Sequence, residues 1–178
     1  MVILGLDPGS VCTGYGLIDA GPEELRWCAG GVLRPARGRS LPERLLALHT
    51  GLREILQERR PAAVALEESF VGQHARSALI LGQARGALTV AILAEGVPLF
   101  EYAPRLVKLA VTGTGGASKE QVHAMIQRLI AGVPQGLSFD VTDALALAVC
   151  HANRQAAPLC LAGAGGPRPG RGVPRREV

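Results

Sequence analysis

The stretch that decides the fold is Val2-Ile3-Leu4-Gly5-Leu6-Asp7-Pro8-Gly9-Ser10. A short apolar run ends in an aspartate and then a Pro-Gly turn. That is the pattern of a buried strand carrying an acid at its last position. Working outward, Tyr15 to Asp19 and Trp27 to Leu33 read as two further strands. The short polar turn Gly21-Pro22-Glu23-Glu24 between them predicts an antiparallel meander. Arg34 to Ser40 reads as a basic loop.

Beyond it the period changes. Leu45, Leu48, Leu52, Ile55 and Leu56 recur at three- and four-residue spacing, predicting a helix from Leu41 to Arg60 that Pro61 ends. Ala62 to Glu67 reads as a buried strand. The helix predicted from Ala75 to Glu95 is apolar nearly all round, so both of its sides are expected to be covered. Gly82 and Gly86 lie one turn apart on it; each costs roughly 1 kcal/mol against Ala, so a close-lying backbone is expected there. Val97 to Tyr102 is a strand, and Pro104 opens a short helix holding Lys108. After the loop Gly113–Gly116, Ser118 and Gln121 form a capping-box pattern that starts another helix. A last helix runs from about Ser138 to about Arg154. Three meandering strands followed by alternating helices and strands predict an α/β fold, a mixed five-stranded sheet with helices on both faces. The order fits one domain over residues 1–157. From Pro158 the Gly/Pro/Arg-rich remainder, 158–178, reads as a disordered basic tail.

Composition narrows the class. At 48% hydrophobic residues in 178, the chain fills a real core. No uninterrupted apolar run of about 18 residues occurs, and the N-terminus lacks a secretory pattern. A cytoplasmic protein without a membrane span is expected. Cys12, Cys28, Cys150 and Cys160 show no metal or disulfide spacing and suit reduced thiols. Of the net charge of +4, the Arg-rich end from Pro158 contributes +3, which argues against a broad DNA-coating surface on the body. Against 17 Arg stand only two Lys, Lys108 and Lys119; a compact ammonium rather than a planar fork is the property these positions keep.

The acids carry the chemistry. If the strands ending in Asp7 and Glu67 are parallel neighbours, both acids emerge at one sheet edge, where α/β sites lie. Asp140 and Asp143, at i and i+3, share a face of the last helix, and the apolar Ala144, Leu145, Leu147, Ala148 and Val149 would dock that helix on the sheet. Four carboxylates around one point suit Mg²⁺. Two such ions about 3.5–4 Å apart activate water and stabilise the leaving oxygen of a phosphodiester. Each piece alone has a plainer explanation. Asp-Pro-Gly is a common turn, Glu67-Glu68 suits a solvated strand end, and paired Asp suit a helix N-terminus. Their compatible positions favour the joint reading. His49, His74, His123 and His151 show no metal-pair spacing and read as surface or core residues.

Longer motifs go further. Leu4-Gly5-Leu6-Asp7-Pro8-Gly9-Ser10 with Thr13-Gly14-Tyr15-Gly16 resembles the opening of RuvC-type Holliday-junction resolvases. So do Ala65-Leu66-Glu67-Glu68-Ser69-Phe70, Leu81-Gly82-Gln83-Ala84-Arg85-Gly86, Phe100-Glu101-Tyr102-Ala103-Pro104-Arg105 with Val107-Lys108, and Asp140-Val141-Thr142-Asp143-Ala144-Leu145-Ala146. The resemblance runs unbroken over about residues 1–152. It implies a ribonuclease H-like fold, a homodimer, and paired nicks in opposite strands of four-way junction DNA during recombination and repair. It implies Asp7, Glu67, Asp140 and Asp143 as metal-binding catalytic acids with two Mg²⁺ per site, Mn²⁺ as a substitute, and Lys119 as a stabiliser of charge near the scissile phosphate. Lys108 and Lys119 match the family's basic DNA surface, and Phe70 matches an aromatic that stacks near the crossover. Arg76 is a further candidate DNA contact. Cooperation with a RuvA–RuvB branch-migration complex is also implied. Two rivals stand beside this reading. An actin- or sugar-kinase-like ATPase shares the Gly-Leu-Asp-Pro-Gly opening but needs two lobes. A junction binder without cleavage gains nothing from clustered acids.

Overall fold

The computed structural model describes residues 1–9, 11–68 and 75–156. Along them run β1 (Val2–Asp7), β2 (Thr13–Ala20), β3 (Leu25–Leu33), α1 (Leu41–Arg59), β4 (Ala63–Glu67) and α2 (Ala75–Ala94). After these come β5 (Leu99–Tyr102), α3 (Pro104–Thr112), α4 (Lys119–Leu129), β6 (Ile130–Ala131) and α5 (Phe139–Ala156). The strands form one mixed sheet in the order β5-β4-β1-β2-β3-β6. β1, β2 and β3 make the antiparallel meander, while β4 pairs parallel to β1 and β5 parallel to β4.

The sheet has six strands rather than the expected five. The addition, Ile130–Ala131, pairs in parallel with Leu25 and Arg26 at the outer edge of β3. It leaves directly from the end of α4, so its two residues merge with the helical pattern and no alternation marks them as strand.

Alternation divides the core. Ile3, Ile18, Ala65 and Tyr102 point to one face, beneath α3, α4 and α5. Leu4, Leu6, Leu17, Val64 and Leu66 point to the other, beneath α1 and α2. Residues two apart in a strand share a face, so Gly5 and Asp7 go with Ile3, and Glu67 goes with Ala65. Both acids therefore belong to the face that α5 covers. α5 is buried continuously from Ala144 to Ala152 and packs across β1 and β2, with α3 and α4 beside it.

A strip of glycines lets α5 come this close. A β-carbon at Gly5 would overlap the Ala144 carbonyl, one at Gly14 the Asp140 carbonyl, and one at Gly16 would lie 2.6 Å from Leu145 Cδ2. Helix backbone rests on sheet backbone at the first two positions, leaving no room for even a methyl group.

Within one copy of the chain, the described residues cover one side of α2. Ala84, Leu88, Ala91 and Ile92 pack inward, but Leu79, Val90 and Leu93 are 63%, 59% and 61% exposed. Among the described residues, nothing beyond the helix's own backbone comes within 4 Å of a β-carbon placed on Gly82 or Gly86. Among the described residues only one side of the helix is covered, because its apolar residues exceed what α1 and the sheet can bury. By length and composition α2 would suffice to cross a membrane, although its apolar run is interrupted by Gln83 and Arg85.

Candidate active site

Asp7 is the last residue of β1 and Glu67 the last of β4. With Leu6 opposite Leu66 in the parallel pair, the two carboxylates leave the sheet side by side. α5 brings Asp143 over them, α4 brings Lys119 and α3 brings Lys108. These five charged residues line a cavity of about 290 Å³ whose remaining lining is apolar and comes from α3, α4 and α5.

Local structure fixes each contributor. The Ser118 Oγ accepts the Gln121 N–H at 3.3 Å, and Gln121 Oε1 accepts the Ser118 N–H at 2.8 Å, so α4 starts at Lys119 as the capping pattern predicts. Lys119 Nζ then donates to Asp143 at 3.1 Å. Pro104 supplies the first turn of α3, which carries Lys108 into the cavity lining.

The cavity holds more negative charge than it can balance. Burial pushes the Asp7 carboxyl up to about 7, helped by Asp143 and Glu67 and opposed by Lys119. Glu67 is also raised, by burial first and then by Asp143, against Lys119, Arg85 and Lys108. The hydrogen bond and charge of Asp143 raise Lys119 in turn.

Asp140 stands apart from the other three acids. It does not line the cavity, and its carboxylate accepts the Cys12 thiol at 3.6 Å. Residues at i and i+3 are about 60° apart around a helix and about 4.5 Å along it, so with Asp143 facing the cavity, Asp140 falls at its edge. Its charge still contributes to the rise of Asp7. Arg76 is exposed on the first turn of α2, away from the cavity lining. Phe70 and the tail from residue 158 lie outside the described residues.

The donor set fits a hard divalent cation, since carboxylates that repel one another are what such an ion relieves. Among the described residues no three acidic, cysteine or histidine side chains close into a ready cage. Lys119 supplies the counter-charge at Asp143.

Two features went unread in the sequence. Arg85 reaches from α2 to the Glu67 backbone carbonyl and the Glu101 carboxylate, with only 14% of its side chain exposed, tying the ends of β4 and β5 together. The Leu-Gly-Gln-Ala-Arg-Gly motif marks this arginine, but only the fold reveals its partners. The glycine strip was legible in principle, as glycines at alternate strand positions 14 and 16 beside Gly5.

Residues 3–151 match the family model described as crossover junction endodeoxyribonuclease RuvC. The chain belongs to that family. A RuvC of Chlorobaculum parvum is 49% identical over 88% of this chain and 83% of its own length. One from Vibrio vulnificus is 44% identical over 91% and 92%. Among solved structures, T. thermophilus RuvC in complex with Holliday junction substrate superposes with a TM-score of 0.81 at 35% identity, covering 87% of this chain and 94% of that one. The yeast mitochondrial Holliday junction resolvase Ydc2, at 15% identity and a TM-score of 0.65, shares the fold. The fold is that of the RuvC family, ribonuclease H-like as expected, and the kinase-like alternative is set aside.

Proposed function

We propose that this RuvC-family chain is an endonuclease that resolves Holliday junctions by hydrolysing phosphodiesters in opposite strands. The observation that carries this reading is the convergence of Asp7, Glu67, Asp143 and Lys119 on one cavity in a chain matching the family over residues 3–151.

Asp7, Glu67 and Asp143, with Asp140 from the rim, are the residues that would hold two divalent cations, Mg²⁺ with Mn²⁺ as a substitute. When bound, such ions supply an activated water and neutralise charge on the scissile phosphate. The side chains themselves select and orient. Without a cation, the acids repel a phosphodiester, so they serve chemistry rather than binding. Lys119, 66% exposed and directed by Asp143, donates Nζ protons to a non-bridging phosphate oxygen and stabilises the charge that grows there. Lys108 guides the strand from the cavity lining, and Arg76 and Phe70 are further DNA contacts.

A four-way junction has two-fold symmetry, and a C2 homodimer presents two sites to it. The exposed stripe of α2 supports such a dimer. Leu79, Gly82, Gly86, Val90 and Leu93 recur at three- and four-residue spacing on the uncovered side, and the glycines let a second helix approach closely. Work on recombining DNA in the cytoplasm, alongside a RuvA–RuvB branch-migration complex, completes the reading.

The test is a synthetic four-way junction incubated with the protein and Mg²⁺, beside a linear duplex of the same sequence. Paired nicks at symmetric positions in the junction alone are expected. Equal cutting of the linear duplex, or no cutting of either, defeats the proposal.

A further inference from the structure

α4 and α5 face each other through two matched pairs. Lys119 meets Asp143 at 3.1 Å. Four residues on from Lys119, and four back from Asp143, His123 meets Phe139 with ring centroids 5.5 Å apart and planes at 63°. Four residues are about 6 Å of helix axis, so the aromatic pair stands one turn outward from the ion pair, beside Asp140.

The geometry holds the imidazole firmly and leaves the phenyl ring open. The Thr142 hydroxyl lies 3.0 Å from the Phe139 carbonyl and 3.4 Å from that of Ser138, and it pairs with Nδ1 of His123 at 3.4 Å. The imidazole is thus tied to α5 and meets the phenyl ring in an edge-to-face contact. Phe139 is nevertheless 46% exposed, the one large aromatic among the described residues that is so open to water. The residues that follow along α5, from Ala144 onward, are buried, whereas Phe139 keeps nearly half of its surface open. An edge-to-face partner fixes a ring's orientation while leaving one face available.

We infer that Phe139, braced by His123, is a stacking step for a nucleotide flanking the scissile phosphate. The inference rests on the endonuclease reading of the acidic cavity and adds to it a contact that involves no metal. A strand whose phosphate sits at Lys119 must leave the cavity over one of its rims. On the α4–α5 rim the next group outward is this ring. Bases and sugars pack on aromatic faces irrespective of sequence, so the step holds the strand without reading it. Phe139 touches the nucleotide; His123 acts through Phe139 as a positioning residue.

The test compares wild type with Phe139→Leu, Phe139→Trp and His123→Leu. Junction affinity is measured by gel shift with chelator present, nicking kinetics with Mg²⁺, and melting temperature on the same preparations. Phe139→Leu keeps apolar bulk but loses the stacking face, so junction Kd and KM are expected to rise about tenfold with kcat less affected. Phe139→Trp restores wild-type affinity. His123→Leu weakens binding by less, and its effect vanishes in the Phe139→Leu background. If Phe139→Leu binds like wild type, the step is overturned, whether its melting temperature holds or falls. If wild type itself neither binds nor cuts the junction, the endonuclease reading fails and the step goes with it.

Discussion

Arg85 holds Glu67 by its backbone carbonyl and leaves the Glu67 carboxylate to the cavity. The same guanidinium bonds the Glu101 carboxylate, so a single side chain from α2 sets the height at which β4 ends. A fork is required, because an ammonium cannot span two acceptors in a fixed plane. Arg85→Lys is expected to lower the nicking rate at least tenfold while costing about 1–3 kcal/mol of stability. Rate and melting temperature measured on one preparation check this. An unchanged rate would remove Arg85 from the positioning of Glu67.

Asp7→Asn is expected to bind junctions at least as well as wild type and to cut them not at all. It also carries a signature in pH. The Asp7 carboxyl takes up its proton near 7 in the folded chain, against 3.8 ordinarily. Between these values the folded state holds more protons than the unfolded, so stability falls as pH rises from about 4 to about 7. Glu67, also raised, acts in the same direction. The metal-free protein should therefore melt lower at pH 8 than at pH 5. Asn at position 7 should remove much of that slope, by at most about 4 kcal/mol. Thermal melts of both proteins across this range, in chelator, decide it.

Divalent cations should counteract the same repulsion. Excess EDTA is expected to stop nicking and spare junction binding. Adding Mg²⁺ or Mn²⁺ at pH 8 should raise the melting temperature of wild type more than that of Asp7→Asn. Strong cutting in EDTA would sink the proposed role of the acids.

Gly14→Ala tests how closely α5 must lie. Its new methyl group would collide with the Asp140 backbone, and backbone, unlike a side-chain tip, cannot swing aside. A loss of about 1–3 kcal/mol is expected, with nicking reduced beyond what the unfolded fraction explains. Wild-type nicking by a stably folded Gly14→Ala would show that the helix has room to spare.

A chain ending at Ala157 should fold and cut. Among the described residues, α5 runs to Ala156 and the core residues precede that point. Loss of a cooperative melt on truncation would give the remaining residues a structural part.

What the sequence made legible follows from how local the signals are. Asp7 and Glu67 could be set side by side because each closes an apolar run, and the parallel β1–β4 pairing bears this out. The capping pattern at Ser118 likewise sets the start of α4. Features that depend on distant partners stayed hidden. Nothing near Arg85 in the chain announces Glu67 or Glu101, and His123 and Phe139 meet only because α4 and α5 cross in register. β6 escaped because two residues are too few to show a period. The covering expected over both sides of α2 was a statement about apolar area, which the described residues of one copy do not satisfy.

The division of the sheet between odd and even positions has a practical consequence. In β1 and β4 the odd-numbered residues, Ile3, Gly5, Asp7, Ala65 and Glu67, belong to the chemistry side, and the even-numbered Leu4, Leu6, Val64 and Leu66 belong to the α1–α2 side. Apart from the Arg85 link between α2 and the end of β4, the two sides can be engineered separately. Aliphatic exchanges among the even residues would alter how tightly α2 seats, and through it any surface it offers, and would reach the carboxylates only through the Arg85 contact to Glu67. Inserting one residue ahead of Asp7 would turn that carboxylate beneath α2, where the same acid in the same strand could do no work at all.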